Sequence, residues 1–133
     1  MFDRFRVARR PLVLWSISRT SRSFAVFERA SHFTINVLGE DQIALSQQFS
    51  SKSSDKFAGV EWSRGNKGCP VLSGVVAFLE CDTETTYGGG DHLIIVGRVK
   101  RFVQYSGRPR LFVQSKYAVS QAHPRIEMAA NAS

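Results

Sequence analysis

The sequence predicts a mainly β, antiparallel domain of the barrel or sandwich class, carrying a few short helices. Three observations point there. Apolar, β-branched and aromatic runs follow one another along most of the chain. The two longest, 75–86 and 92–104, flank the cluster Gly88-Gly89-Gly90-Asp91, which can supply the positive φ of a hairpin turn. Within both runs the residues alternate between two kinds with period 2, the mark of a strand with two unlike faces.

Taken in order, residues 11–17 (PLVLWSI) form an apolar run between Pro11 and the polar stretch SRTSRS, which reads as a buried strand. A short helix is expected over 23–30, and 33–38 (FTINVL) alternates Phe33, Ile35 and Val37 with Thr34 and Asn36 as a second strand. Residues 41–49 predict a helix: acidic residues at its start suit the macrodipole, and Leu45 and Phe49 stack one turn apart. SSDKF at 53–57 resembles an N-cap opening a single helical turn, and 63–70 (SRGNKGCP) reads as a loop. In the long hairpin, Leu79, Cys81 and Thr83 alternate with Glu80, Asp82 and Glu84, while Leu93, Ile95, Gly97 and Val99 alternate with Ile94, Val96, Arg98 and Lys100. A turn centred near residue 89 sets Glu80 opposite Arg98 on a solvent face. A second turn at 105–109 leads into a strand at 110–114, and 118–133 loses periodicity as a disordered tail.

With 133 residues and 14.9 kDa, the chain is sized for one domain with a proper core. No apolar run approaches the ~20 residues of a bilayer-spanning helix, and the basic start has no apolar stretch of a secretory signal behind it. The net charge of +7 is unevenly spread: residues 1–30 hold seven Arg against Asp3 and Glu28. A polyanion can bind such a stretch, although a solvated basic arm at 1–10 is the simpler reading and nucleic acid is not the expected partner. Cys69 and Cys81 make no CxxC, and His32, His92 and His123 make no metal-ligand array, so the expectation is reduced thiols, a cytoplasmic setting and no metal.

The chemistry-bearing residues are sparse. There is no GxSxG, no Ser/His/Asp spacing and no GxGxxG, and the acids at 80, 82 and 84 read as one face of a strand. Two features remain. Ser18-Arg19-Thr20-Ser21-Arg22-Ser23 follows a strand and precedes a possible helix; hydroxyls, free backbone N–H groups and two guanidinium groups there make a phosphate cradle, or simply a polar loop. Gly90-Asp91-His92 sets a histidine at the start of the second hairpin strand, as a ligand contact at a barrel mouth or as a solvated side chain.

In sequence, FTINVLGEDQIALSQQFSS, DKFAGVEW, CPVLSGVVAFLEC and GGGDHLIIVGRV form an ordered series from about Pro11 to Tyr117 that resembles the flavin reductase domain, the FMN-binding split barrel. Members include the small component of two-component flavin-dependent monooxygenases and free-standing NAD(P)H:flavin oxidoreductases. The stretch from Gly107-Arg108-Pro109 to Tyr117 is similar to the family's closing motif, with SKY in place of its usual glycine- and arginine-containing end.

The resemblance implies an antiparallel Greek-key split barrel over 11–117 that dimerises and holds FMN or FAD near the subunit interface, with NADH or NADPH as co-substrate. It places the flavin phosphate and ribityl chain against Ser18, Thr20, Ser21 and Ser23, with Lys56 and Phe57 close by. His92 falls where the nicotinamide approaches, bordered by Tyr117. No residue acts as a catalytic acid or base, since hydride passes from nicotinamide to flavin and the cofactors carry the reaction. A monooxygenase is the implied partner, with no membrane. The family usually carries an N-terminal block with a TASSF-like stretch before the PLVL strand; only MFDRFRVARR precedes Pro11, so the resemblance implies an N-terminally incomplete barrel lacking at least two strands. A non-catalytic flavin- or heme-binding split-barrel module is the second reading, and a nucleic-acid-binding β-barrel a weaker third.

Overall fold

The computed structural model describes residues 11–52 and 54–107 in full, and the backbone of 110–113 and 116–119. Its centre is a curled four-stranded antiparallel sheet in the order β1-β6-β5-β2. The strands are β1 (Leu12–Ser18), β2 (His32–Val37), β5 (Ala77–Gly89) and β6 (His92–Gln104). Two short hairpins flank it: β3 (Trp62–Arg64) with β4 (Pro70–Leu72), and β7 (Arg110–Val113) with β8 (Lys116–Val119). The helices are α1 (Phe24–Arg29) and α2 (Ile43–Ser50). The result is a mainly β half-barrel, as the sequence predicts, with β1 and β2 as its two sheet edges.

The core has two parts because strand side chains alternate between faces. On one face Ile17, Phe33, Cys81, Leu93 and Ile95 are buried together, with Trp15 and α1's Phe24 and Phe27 packed against them. Trp15 meets Phe27 edge-on at 4.9 Å and Phe33 at 5.8 Å between ring centroids. This burial holds α1, whose six residues are too few for a stable helix alone. Gly97 is required here: a Cβ on it would strike the Phe33 ring. The second cluster comprises Leu72, Val75 and Phe78, joined by Leu45 and Phe49 of α2 and by Val103. The predicted Leu45–Phe49 stack is thus α2's packing face. No acidic residue occupies its first turn, however, because the helix starts at Ile43, beyond Asp41.

The long hairpin turns more tightly than its glycine cluster suggests. Gly89 pairs with His92, leaving only Gly90 (φ +65°) and Asp91 in the turn. Glu80 therefore faces Arg101, not Arg98, and Arg98 instead forms a two-pronged pair with Glu84, both bonds 2.8 Å. Register shifts leave Glu84 and Lys100 unpaired, one on each strand, so the two offsets cancel. Nor does Glu80 face solvent: it is 3% exposed, because the β3–β4 loop covers this part of the sheet.

Three other expectations shift. The 63–70 loop is shorter, since Trp62–Arg64 and Pro70–Leu72 pair as strands around a tight connection closed by Gly65 N–H on Cys69 O. Where SSDKF predicts a helical turn, residues 56–59 make a turn rather than a helix, and Asp55 Oδ1 accepts from the Phe57 amide at 3.3 Å; Ser53 lies outside the described residues. At the C-terminal end β8 reaches Val119, two residues into the stretch read as a tail. The basic arm 1–10 and residues 120–133 lie outside the described residues.

Candidate functional site

The hydroxyl loop begins where β1 leaves the sheet. Ser18 is the last residue of β1, and its register partner is His92, the first residue of β6. Antiparallel pairing of β1 with β6 therefore delivers the SRTSRS loop and the Gly90-Asp91-His92 turn to the same end of the sheet. They are joined by more than proximity. The Arg19 amide donates to Asp91 O at 2.9 Å, and Arg19 Nε donates to Gly90 O at 3.2 Å. His92 Nδ1 and Asp91 Oδ1 are 2.8 Å apart, and this hydrogen bond, with the imidazole's charge, holds the Asp91 carboxyl below its usual range.

Within the loop, Ser18 Oγ and Thr20 Oγ1 are hydrogen-bonded at 2.9 Å. The expected free backbone N–H groups are not there at Thr20, Ser21 and Ser23. Their amides bond Ser18 Oγ, Ser18 O and Ser21 Oγ, because serine hydroxyls fold the chain back on itself in tight turns. The donors left to an anion include hydroxyl and guanidinium hydrogens. Arg22 is anchored by Nη1 on Lys52 O at 2.7 Å, which ties the hydroxyl loop to the segment leading into Lys56 and Phe57.

Ser23, Lys56 and Phe57 belong to a second region, a cleft of about 690 Å³. It runs along the β2 edge between α1 on one side and α2, the 56–57 turn and β4 on the other. Phe57 meets Phe49 edge-on at 5.0 Å, and Gln48 Nε2 fixes the turn from α2 by donating to Lys56 O and Ala58 O at 2.8 and 2.9 Å. Aromatic rings of Phe27, Phe33, Phe49 and Phe57 line the cleft, and His32, Thr34 and Asn36 give it a polar stripe.

The predicted site residues thus fall into two adjoining groups. Ser18, Thr20 and His92 stand at the hairpin turn; Ser23, Lys56 and Phe57 stand on the cleft; Ser21 lies in the loop between them. The side chain of Tyr117, in β8, lies outside the described residues. His32, Thr34, Asn36 and Cys69 share the cleft, although no motif in the sequence marks them as site residues. Thr34 and Asn36 were visible as the polar half of a strand alternation, but only the fold shows a cavity beside them. Among the described residues no three His, Cys, Asp or Glu side chains gather as metal ligands, and no helix is long and apolar enough to cross a membrane.

The donor set suits a phosphate ester at the loop and a flat ring system beside it: hydroxyls and cations in one place, aromatic walls in the next. Comparison with known proteins points the same way. A family model described as "Flavin reductase like domain" matches residues 7–120. The reductase subunit HsaB of a flavin-dependent monooxygenase from Rhodococcus jostii is 41% identical over 108 residues, covering 80% of this chain and 55% of that protein. The FMN reductase (NADH) SmoA of Agrobacterium fabrum is 39% identical over 102 residues, covering 77% of this chain and 58% of its own length. This chain therefore spans little more than half of either relative. Among solved structures, the NADH:FAD oxidoreductase SgcE6 of Streptomyces globisporus, in complex with NAD and FAD fragments, superposes with a TM-score of 0.78 at 29% identity, covering 86% of this chain and 69% of that one.

Proposed function

Because the chain belongs to the flavin reductase like domain family, we propose that it is an NAD(P)H-dependent flavin reductase that supplies reduced flavin to a monooxygenase. The observation that carries this reading is the register pair Ser18–His92, which sets a hydroxyl-rich loop and an exposed imidazole side by side at one end of the sheet. When bound, the flavin supplies a ring that accepts hydride from nicotinamide.

The chain's own residues bind and orient. Ser18, Thr20 and Ser21 offer hydroxyl donors to the phosphate, and Ser23 extends them to the cleft. Lys56 adds a cation and Phe57 an aromatic face. His92 borders the place where the nicotinamide arrives, with Tyr117 as its neighbour. None of these groups has to move a proton. Bringing two rings to near-attack distance, with cationic donors to offset the negative charge of reduced flavin, is enough.

The setting we propose is cytoplasmic, with a homodimer as the assembled form. The dimer is supported by an uncovered apolar face of the sheet, where Leu12, Leu14 and Tyr87 are 57%, 67% and 59% exposed. A reductase component serving a separate oxygenase is supported by the HsaB relative.

The test is to titrate the purified chain with FMN and with FAD, then follow NADH and NADPH oxidation with flavin in excess. Saturable flavin binding with flavin-dependent turnover is the expected result. Binding without turnover selects the non-catalytic module, and no binding of FMN, FAD or heme overturns both.

A further inference from the structure

We propose that Arg19 is the positioning residue for the nicotinamide side of the site: a strut that fixes the His92 turn to the hydroxyl loop, acting on turnover through His92. The inference rests on the flavin-reductase reading above and concerns how that site is held in shape.

Three consecutive glycines, Gly88 to Gly90, precede Asp91 and His92. The ladder holds the His92 backbone between Ser18 and Gly89, but glycine leaves the two-residue turn Gly90-Asp91 free to change shape, and with it the Asp91 carboxylate that bonds the His92 ring. Here the aim comes from outside. Arg19 holds both turn carbonyls: its backbone amide on Asp91 O continues the β1–β6 ladder and would be kept by any residue, while its side chain adds the Nε bond to Gly90 O, 71 residues further along the chain. The guanidinium carbon sits 5.7 Å from the centre of the Phe24 ring, which holds the side chain from the opposite end.

The guanidinium lies beside β5 at Gly88, where a Cβ would stand 3.4 Å from Arg19 Nη2. Asp91, whose carbonyl is held in this way, in turn bonds the His92 ring at Nδ1. The chain of contacts therefore runs from the hydroxyl loop through Arg19 and Asp91 to the imidazole. A lysine cannot reproduce its side-chain part, the bond to Gly90 O and the contact with Phe24: an ammonium keeps the charge but has no Nε–H at that point of the stem and no planar face to lay over the ring.

The geometry separates this role from that of a plain phosphate ligand. A ligand acts on flavin affinity and is replaceable by another cation. A strut acts on the reaction, needs the arginine shape, and matters only while His92 is present.

The experiment is a double-mutant cycle in the full chain with Arg19→Gln, His92→Ala and both, plus Arg19→Lys, reading kcat for NADH and Kd for FMN, with melting temperature as the check on folding. Arg19→Gln lowers kcat about tenfold while Kd for FMN moves less than about threefold; in the His92→Ala background the same change costs less than about twofold. Arg19→Lys is as slow as Arg19→Gln. Additive losses, recovery of kcat by lysine, or a Kd raised more than about tenfold with kcat intact overturns the proposal.

Should wild-type protein oxidise no NADH, the flavin-reductase reading fails by itself. The strut is then read from amide hydrogen exchange of Gly89–Leu93, where faster exchange in Arg19→Gln and Arg19→Lys upholds it and unchanged exchange overturns it.

Discussion

Arg101 reaches Glu80 with its Nε 2.6 Å from Oε2, while Glu80 Oε1 takes the Asn66 amide at 2.7 Å. One nearly buried carboxylate thus joins β6, β5 and the β3–β4 loop. Removing either partner of such a pair leaves a charge without its complement. Glu80→Ala is expected to cost about 2–3 kcal/mol, at the low end for a buried pair because Arg101 is half in solvent, and Glu80→Gln about 1 kcal/mol because it still accepts from Asn66. Urea unfolding of the two variants checks the order.

Gly65 belongs to the same device. A side chain there would run into the Glu80 carboxylate and into Val71. Gly65→Ala is therefore expected to loosen the β3–β4 loop as much as Glu80→Ala does, and the two changes together should cost little more than one alone. Chemical denaturation of the double variant reads this.

Flavin affinity depends on the loop hydroxyls if they receive the phosphate. Ser18→Ala with Thr20→Ala is expected to raise Kd for FMN about tenfold, the loss of about one hydrogen bond to an anion, since the two hydroxyls already bond each other. Ser21→Ala with Ser23→Ala should weaken it further, since Ser21 Oγ also holds the Ser23 amide. Fluorescence titration measures both, with melting temperature as the check that the loop alone has changed.

The two cysteines should react unequally. Burial, then the charges of Asp82 and Glu80, pushes the Cys81 thiol from 9.0 up to about 11. The thiol keeps its proton more tightly folded than unfolded, so its contribution is present below pH 9.0 and is lost as the pH rises towards about 11. Alkylation of native protein at neutral pH should mark Cys69 alone, and Cys81→Ala should flatten the fall in stability over that alkaline window.

If the uncovered face of β1 and β6 joins two copies, Leu14→Lys should shift the sedimenting species from dimer to monomer. Leu14 is largely exposed in the single chain, so its folding should survive the change. A wild-type monomer at all concentrations would remove the dimer from the proposed function.

Much of the fold was legible because burial in strands leaves a period-2 trace. Leu93, Ile95 and Gly97 are buried and Ile94, Val96 and Arg98 only partly so, as β6's alternation predicts. The Glu80 partner was not legible, because moving the turn centre from residue 89 to between Gly90 and Asp91 shifts the partner three residues, from Arg98 to Arg101, and because a polar residue on a covered face looks like one on a bare face. At the candidate site, the loop and the histidine were readable as local motifs. The cleft residues His32 and Cys69 were not, since neither carries a pattern until α1 and β4 fold to opposite sides of β2. The Arg19 strut spans most of the chain, and no local signal reports a side chain bonded to backbone carbonyls so far away.

Each of the two packed clusters sits beside one of the chain's two tryptophans. Trp15 packs within the first, while Trp62 lies 5.6 Å from Phe57, which contacts Phe49 of the second. The half-buried Trp15 should emit to the blue of the more exposed Trp62. Replacing either by phenylalanine leaves a single intrinsic reporter, so one spectrometer can ask whether both halves of the molecule melt in the same event.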